Sequence, residues 1–161
     1  MTLKKTELMQ YIETLAHTSV VDCYQCGKCT AGCPQGSAMR YGPQSIIQMV
    51  KRDQVIRAAQ KDSIWQCLSC YTCTARCPKS VNITGIMDAL KQFSIEKNIY
   101  SDRFKRTIMF QKAFLANIRR NGRTNELELV VSYKFRGFFN DFNPFSAIQD
   151  ATLGPQQHLR T

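Results

Sequence analysis

All eight cysteines of this 161-residue chain fall into two matching runs, and no other feature constrains the fold as strongly. The first run occupies residues 23–34 and the second occupies residues 67–78. Both read C-x2-C-x2-C-T-A-x-C-P, and the copies are offset by 44 residues at all four cysteines. A repeat of this kind predicts two equivalent sites within one structure.

The spacing within each run is typical of ligands to a cubane iron-sulfur cluster. Three cysteines spaced three residues apart on a tight turn reach three corners of the cubane, and the fourth corner needs a more distant ligand. In the bacterial C-x2-C-x2-C-x3-C-P run, the fourth cysteine binds the other cluster. The sequence therefore predicts two [4Fe-4S] clusters with crossed ligands. Cluster 1 is assigned to Cys23, Cys26, Cys29 and Cys77, and cluster 2 to Cys67, Cys70, Cys73 and Cys33.

Zinc and disulfides are the alternatives for eight cysteines. Structural zinc sites take four ligands from two C-x2-4-C pairs, whereas each run here has a third cysteine at the same spacing and ends in Cys-Pro. The first twenty residues lack the apolar region of a signal peptide, and no stretch approaches the roughly 18 apolar residues of a membrane-spanning helix. The expected location is therefore the cytoplasm, where thiols stay reduced and metal binding is favoured over disulfides.

Charge is consistent with a bound anionic cofactor. The formal net charge of the chain is +10. Eight thiolates contribute about −8 and two oxidised cubane cores about +4, so the loaded protein carries about +6. Lys28 and Arg76 lie inside the cysteine runs. Either they tune the reduction potentials of the clusters or they point into solvent.

Helical periodicity outside the cysteine runs predicts an all-α protein with its clusters between helix ends. Pro43 follows Gly42 as a first helical residue, and Asn82 is placed as an N-cap. We expect helices in the first sixteen residues and at 43–51, 53–60, 83–97 and 102–120, and the run 127–133 fits a strand or a helix equally well. The residues expected to face inward are Leu8, Ile12, Leu15, Ile46, Ile47, Val50, Ile83, Ile86, Met87, Leu90, Phe104, Ile108, Leu115 and Ile118.

Four segments are expected along the chain: an N-terminal helix at 1–20, a two-cluster domain at 21–100, a basic helical extension at 101–130 and an aromatic tail at 131–161. Residues 102–136 hold nine basic and three acidic side chains, which favours docking on an acidic protein partner. The tail either docks on a partner or folds back onto its own core. Its aromatic residues are Tyr133, Phe135, Phe138, Phe139, Phe142 and Phe145.

Catalytic residues are scarce. The histidines are His17 and His158, near opposite ends of the chain, and the cysteines are all assigned to clusters. The sequence has no Rossmann glycine pattern, no phosphate-binding loop and no nucleic-acid recognition motif, so we expect neither a catalytic site nor nucleic-acid binding. Two fully ligated clusters without a substrate site indicate an electron relay between partner proteins.

The sequence resembles the C subunit of heterodisulfide reductase and its bacterial relatives over roughly residues 20–130. The resemblance rests on CGKCTAGCP at 26–34, WQCLSC at 65–70, CTARCP at 73–78 and FQKAFLANIRRNGRTNE at 110–126. It implies an α-helical ferredoxin fold with two interlocked cluster sites. It also implies a cytoplasmic complex in which electrons pass from a flavin-containing A-type subunit to a disulfide-reducing, cysteine-rich B-type subunit.

Two other functions remain open from the sequence. One is the iron-sulfur arm of a membrane-associated dehydrogenase or respiratory complex, in which the tail and the basic segment contact an anchoring protein. The other is a cluster-bearing nucleic-acid protein, which low-salt binding to DNA or RNA would reveal.

Overall fold

Residues 7–138 are the part of the chain that the computed structural model describes, and within them nine helices and no strand are found. This confirms the all-α prediction. The helices are α1 Glu7–Ala16, α2 Lys28–Ala31, α3 Pro43–Lys51, α4 Val55–Ala59, α5 Asp62–Trp65, α6 Thr72–Ala75, α7 Ile83–Lys97, α8 Asp102–Asn121 and α9 Glu126–Phe138.

The ends of the long helices follow from local chemistry. Pro43 is the first residue of α3, where its missing N–H costs nothing. The Asn82 side chain caps α7 by accepting a hydrogen bond from the Gly85 N–H at 3.0 Å. At Asn98 (φ 53°) and Gly122 (φ 66°), left-handed backbone ends α7 and α8. The boundaries predicted for these three helices are confirmed to within one residue.

Helix α7 lies at the centre of the cluster-bearing half and contacts α1, α3, α4, α5 and α6. Its inward face is fully buried, as the apolar stripe of its sequence predicts. Most of the core is aliphatic, and it is the main source of the folding free energy in this part of the chain. The largest fully buried side chains include Met9, Ile12, Ile46, Ile47, Val50, Ile64, Ile86, Met87 and Leu90.

The apolar pattern of α3 recurs in α7 at an offset of 40 residues instead of the 44 that relates the cysteines. Residues 43–51 read PQSIIQMVK, and residues 83–91 read ITGIMDALK. The pairs Ile46 and Ile86, Ile47 and Met87, and Val50 and Leu90 are all 0% exposed. The repeat therefore extends beyond the cysteine runs into the helix that follows each of them.

Helix α1 is joined to the start of α7 by polar contacts. The Asn82 N–H donates to the Thr18 hydroxyl at 3.1 Å, and its side-chain amide donates to the Ala16 carbonyl at 3.0 Å. The Glu13 carboxylate, which is largely buried, accepts from the Val20 N–H at 2.7 Å and from the Ser19 hydroxyl at 3.1 Å. These bonds fix the chain that leads into Cys23.

Some sequence expectations were wrong or incomplete. Leu115, expected to face inward, is 63% exposed, while Ala113 and Asn117 are buried. The Asn117 side chain accepts from the Asn125 N–H at 2.8 Å and donates to the Asn125 carbonyl at 3.2 Å, so this face of α8 is covered by the turn that follows it. The short helices α2, α5 and α6 were not predicted, because four-residue helices have no measurable periodicity.

The chain divides between Arg106 and Thr107 into two compact units. In the second unit, the run 127–133 is helical and belongs to α9. The ring of Tyr133 meets that of Phe110 edge to face, with centroids 5.7 Å apart. Most of the proposed aromatic tail lies outside the described residues, including Phe139, Phe142 and Phe145. No helix between residues 7 and 138 combines the length and apolarity needed to cross a membrane.

Replacing Ile86 by Ala tests the central place of α7. Ile86→Ala leaves a cavity in a fully buried site, so we expect the free energy of unfolding to fall by about 2–5 kcal/mol. Ile56→Ala is the matched control, because Ile56 is half exposed on α4, and it should change stability by less than about 0.5 kcal/mol. Urea unfolding followed by circular dichroism measures both. Equal effects would contradict the assigned core.

Candidate metal centre

The two cysteine runs occupy equivalent environments. Cys26 and Cys70 are exposed, Cys29 and Cys73 are each 8% exposed, and the remaining four are half-buried. Burial thus repeats at the 44-residue offset, and none of the eight thiols forms a disulfide. Each run presents one cysteine to the surface and one to the core.

The backbone repeats as well. Gln25 (φ 64°) and Gly27 (φ 79°) adopt left-handed conformations, and so do Ser69 (φ 50°) and Tyr71 (φ 59°) at the equivalent positions of the second run. For residues other than glycine this conformation costs about 1–3 kcal/mol and persists only where the surroundings require it. Left-handed residues in a turn gather backbone N–H groups into a concavity that binds anions. A cluster ligated by four thiolates is such an anion, so the turns fit it.

One cavity joins the second run to the last cysteine of the first. Cys67, Cys70 and Cys73 line it together with Cys33, and no other cysteine does. Apart from the thiols, the wall of this cavity is mainly apolar, and it includes Pro34, Met39 and Met87. Four thiols in an apolar cavity fit an iron-sulfur cluster, whose ligands are thiolates and whose potential depends on exclusion of water.

The last cysteine of the second run lies near the first run. The pKa of the Tyr24 phenol is raised, first by desolvation, then by its hydrogen bond to Cys26, and further by the charges of Cys26, Cys77 and Cys23. Cys77 therefore acts on the same side chain as two thiols of the first trio.

Among residues 7–138, no three His, Cys, Asp or Glu side chains converge on a position for a single metal ion.

The thiols differ in the free energy of losing their protons. Burial raises the pKa of Cys29 and of Cys67, with partial compensation by hydrogen bonds from Thr30 and from the Ser69 backbone. Hydrogen bonds with Thr72 lower the pKa of the exposed Cys70. Ligands bind as thiolates, so cluster assembly releases protons and is favoured by rising pH. Charge interactions also link Cys29 to Cys73, the buried thiols of the two runs.

The threonine of each Thr-Ala pair binds the helix that follows its run. The Thr30 hydroxyl accepts from the Gln44 N–H at 3.0 Å, and the Thr74 hydroxyl accepts from the Thr84 N–H at 3.1 Å. Gln44 and Thr84 are each the second residue of a long helix, where backbone N–H groups lack intrahelical partners. Each cysteine turn is thereby held to its own helix.

The two basic residues singled out by sequence, Lys28 and Arg76, are both exposed. The Arg76 side chain lies over Gly32, the equivalent position of the first run, where an added Cβ would lie 2.9 Å from Arg76 Cζ. The Arg76 side chain therefore lies against α2, and a larger residue at position 32 would require the exposed end of Arg76 to move.

Two lysines that the sequence analysis missed form hydrogen bonds to the cysteine turns. Lys51 donates to the Cys23 carbonyl at 2.6 Å, and Lys91 donates to the Cys67 carbonyl at 3.3 Å. They are the last residues of the matched segments PQSIIQMVK and ITGIMDALK. Aligning those segments at the 40-residue offset would have revealed both, but the cysteine offset alone misaligns them.

Comparison with known families agrees with this geometry. Residues 22–82 match the model of the 4Fe-4S dicluster domain, a span that starts just before Cys23 and ends at the cap of α7. The chain holds two [4Fe-4S] clusters. This iron-sulfur protein has an electron-transfer role and an all-α ferredoxin-like fold. No curated protein matches its sequence.

Removing the two threonine hydroxyls tests whether they hold the cysteine turns of this iron-sulfur protein. Thr30→Val and Thr74→Val each leave a helix N–H without its acceptor, so each should lower the free energy of unfolding by about 1 kcal/mol. Thr14→Val is the control, since its hydroxyl bonds only to the Gln10 carbonyl of its own helix. Urea midpoints of the loaded proteins measure the loss. A Thr14→Val effect as large as the other two would argue against this role.

Proposed function

We propose that this chain is the electron-transfer subunit of a cytoplasmic heterodisulfide-reductase-type complex. In this role it passes electrons from a flavin-containing A-type subunit to a cysteine-rich, disulfide-reducing B-type subunit. The observation that carries the proposal is the shared layout of the two cysteine runs. Cys29 and Cys73 are buried where α2 and α6 meet, while Cys26 and Cys70 reach the surface.

That layout suits a relay. Bound [4Fe-4S] clusters supply one-electron storage without bond making or breaking in the protein. The residues of the chain hold the cofactors through thiolates, exclude water with the apolar side chains of the core, and place an exposed thiol on the surface for each site. Each site has an exposed thiol at the surface, and the buried thiols Cys29 and Cys73 lie between the two sites. This layout permits separate donor and acceptor proteins.

The surface beside each exposed thiol is apolar. Tyr24 is exposed next to Cys26, and Leu68 and Tyr71 are exposed beside Cys70. Tyr24 and Leu68 occupy equivalent positions of the repeat. Apolar surface around a solvent-exposed redox centre favours docking of a partner, since the contact removes that surface from water.

Three features support the specific complex. The motifs at 26–34, 65–70 and 73–78 resemble the C subunit, and so does the run 110–126, which forms the second half of α8 and the turn after it. Exposed basic residues on α8 suit an acidic partner. We retain the division into an N-terminal helix at 1–20, a cluster domain at 21–100, a basic extension at 101–130 and a tail at 131–161.

We also propose the crossed ligand sets, with Cys77 completing cluster 1 and Cys33 completing cluster 2. The cavity that joins Cys33 to the Cys67, Cys70 and Cys73 trio supports the second set. The combined effect of Cys77, Cys26 and Cys23 on Tyr24 supports the first.

Cysteine variants test the crossing. Cys33→Ala should remove the same component of the electron paramagnetic resonance spectrum as Cys70→Ala, because both leave cluster 2 with three ligands. Cys77→Ala should match Cys26→Ala in the same way. If Cys33→Ala instead matches Cys26→Ala, each run binds its own cluster and the crossing is wrong.

Charge reversal on α8 tests the partner. Lys112→Glu combined with Arg119→Glu should reduce co-purification of a soluble flavoprotein and a cysteine-rich protein from the native host by about tenfold, with iron content unchanged. Both side chains are exposed, whereas Arg120 pairs with Glu128 and is left intact. Arg57→Glu combined with Lys97→Glu is the control for charge alone, because both side chains are exposed outside α8 and the net charge changes by the same amount. Recovery of an integral membrane protein instead would favour a membrane-associated dehydrogenase.

A further inference from the structure

The lysines at equivalent positions of α3 and α7 both bind the first cysteine of their turn. Lys51 donates to the carbonyls of Cys23 at 2.6 Å and Val21 at 3.1 Å. Lys91 donates to the carbonyl of Cys67 at 3.3 Å and to the Ser69 hydroxyl at 3.4 Å. Each ammonium group is thereby fixed beside a cluster-binding turn.

The surroundings of the two lysines differ at one matched position. Asp88 lies three residues before Lys91 and forms a salt bridge with it at 3.0 Å, while also accepting from the Ser69 hydroxyl at 3.0 Å. The equivalent residue, three before Lys51, is Gln48. The described contacts of Lys51 are backbone carbonyls, which carry no formal charge. At the matched position, therefore, the first half has a neutral side chain near its lysine, and the second half has a carboxylate that offsets part of the lysine charge.

This difference acts on reduction because a cluster gains a negative charge when it is reduced. A fixed cation nearby stabilises the reduced form and raises the reduction potential, and an adjacent carboxylate reduces that effect. Both lysines and Asp88 are partly shielded from solvent, so water screens them less than exposed charges. The exposed Asp22 and Lys28 of the first run oppose each other in sign.

We propose that the two clusters differ in reduction potential because the second half has Asp88 where the first half has Gln48. The cluster bound by Cys23, Cys26 and Cys29 has the higher reduction potential, and the cluster bound by Cys67, Cys70 and Cys73 has the lower. This rests on the proposed relay and deepens it. The donor then docks beside Leu68 and Tyr71, and the acceptor docks beside Tyr24.

Reciprocal substitutions at the matched position test the proposal. Anaerobic redox titration of the loaded full-length protein, followed by electron paramagnetic resonance, resolves two one-electron midpoints. Asp88→Gln should raise the lower midpoint and leave the higher one in place, and Gln48→Asp should lower the higher midpoint and leave the lower one in place. Each shift should change the ratio of reduced to oxidised cluster at fixed potential by about threefold to tenfold, and tenfold corresponds to about 59 mV.

Controls separate charge from structure. Asp88→Glu and Lys51→Arg keep the charge and should keep the wild-type midpoints, whereas Lys51→Gln should lower the higher midpoint. Arg52→Gln removes an exposed charge beside Lys51 and should shift neither midpoint by as much. The proposal is overturned if Asp88→Gln moves the higher midpoint, or if neither reciprocal variant exceeds Arg52→Gln. Failure of the relay is a separate result: a chain with fewer than about eight irons contradicts the proposed function itself, whereas a fully loaded chain with a single midpoint contradicts only the separation of the potentials.

Discussion

The approach of α2 to α6 is the constraint on which the rest of the cluster domain depends. These two short helices carry Cys29 and Cys73, the buried thiols of the two runs, into the core of the first unit. Neither helix is long enough to be stable alone. Each is held instead by a threonine that binds the next long helix, and those helices pack their apolar faces into a common core. The cluster sites are therefore only as rigid as the contact of α3 with α7.

The sequence was sufficient to predict two [4Fe-4S] clusters and the long helices, and insufficient for the contacts that hold the cysteine turns in place. Cysteine spacing and a period of 3.6 residues are local properties, so the runs, α3 and α7 were predictable in place and extent. The positions of Thr30, Lys51 and Arg76 depend on contacts between segments far apart in the chain. Leu115 shows the same limit, because its helix buries Asn117 under a turn that periodicity does not describe.

The two halves are alike in backbone and different in charge. Left-handed residues recur at equivalent sites, including Tyr71, where glycine occupies the first copy at position 27. Tyrosine adopts this backbone conformation at an energetic cost that glycine does not have. Its recurrence at Tyr71 therefore indicates that the bound group requires the shape of the turn. The differences fall on side chains around the turns, at Gln48 and Asp88 and at Lys28 and Thr72. A common scaffold thus presents two sites with distinct electrostatic surroundings.

Gly32 and Arg76 show how the two halves differ at one matched position of the repeat. They are related by the 44-residue offset of the cysteine runs, and the long side chain of Arg76 lies over Gly32. In a homodimer of a single-run ancestor, the two residues would be identical. Two glycines would leave the contact unfilled, and two arginines would compete for the same space and repel each other. A single polypeptide that carries both runs can hold different residues at this matched position.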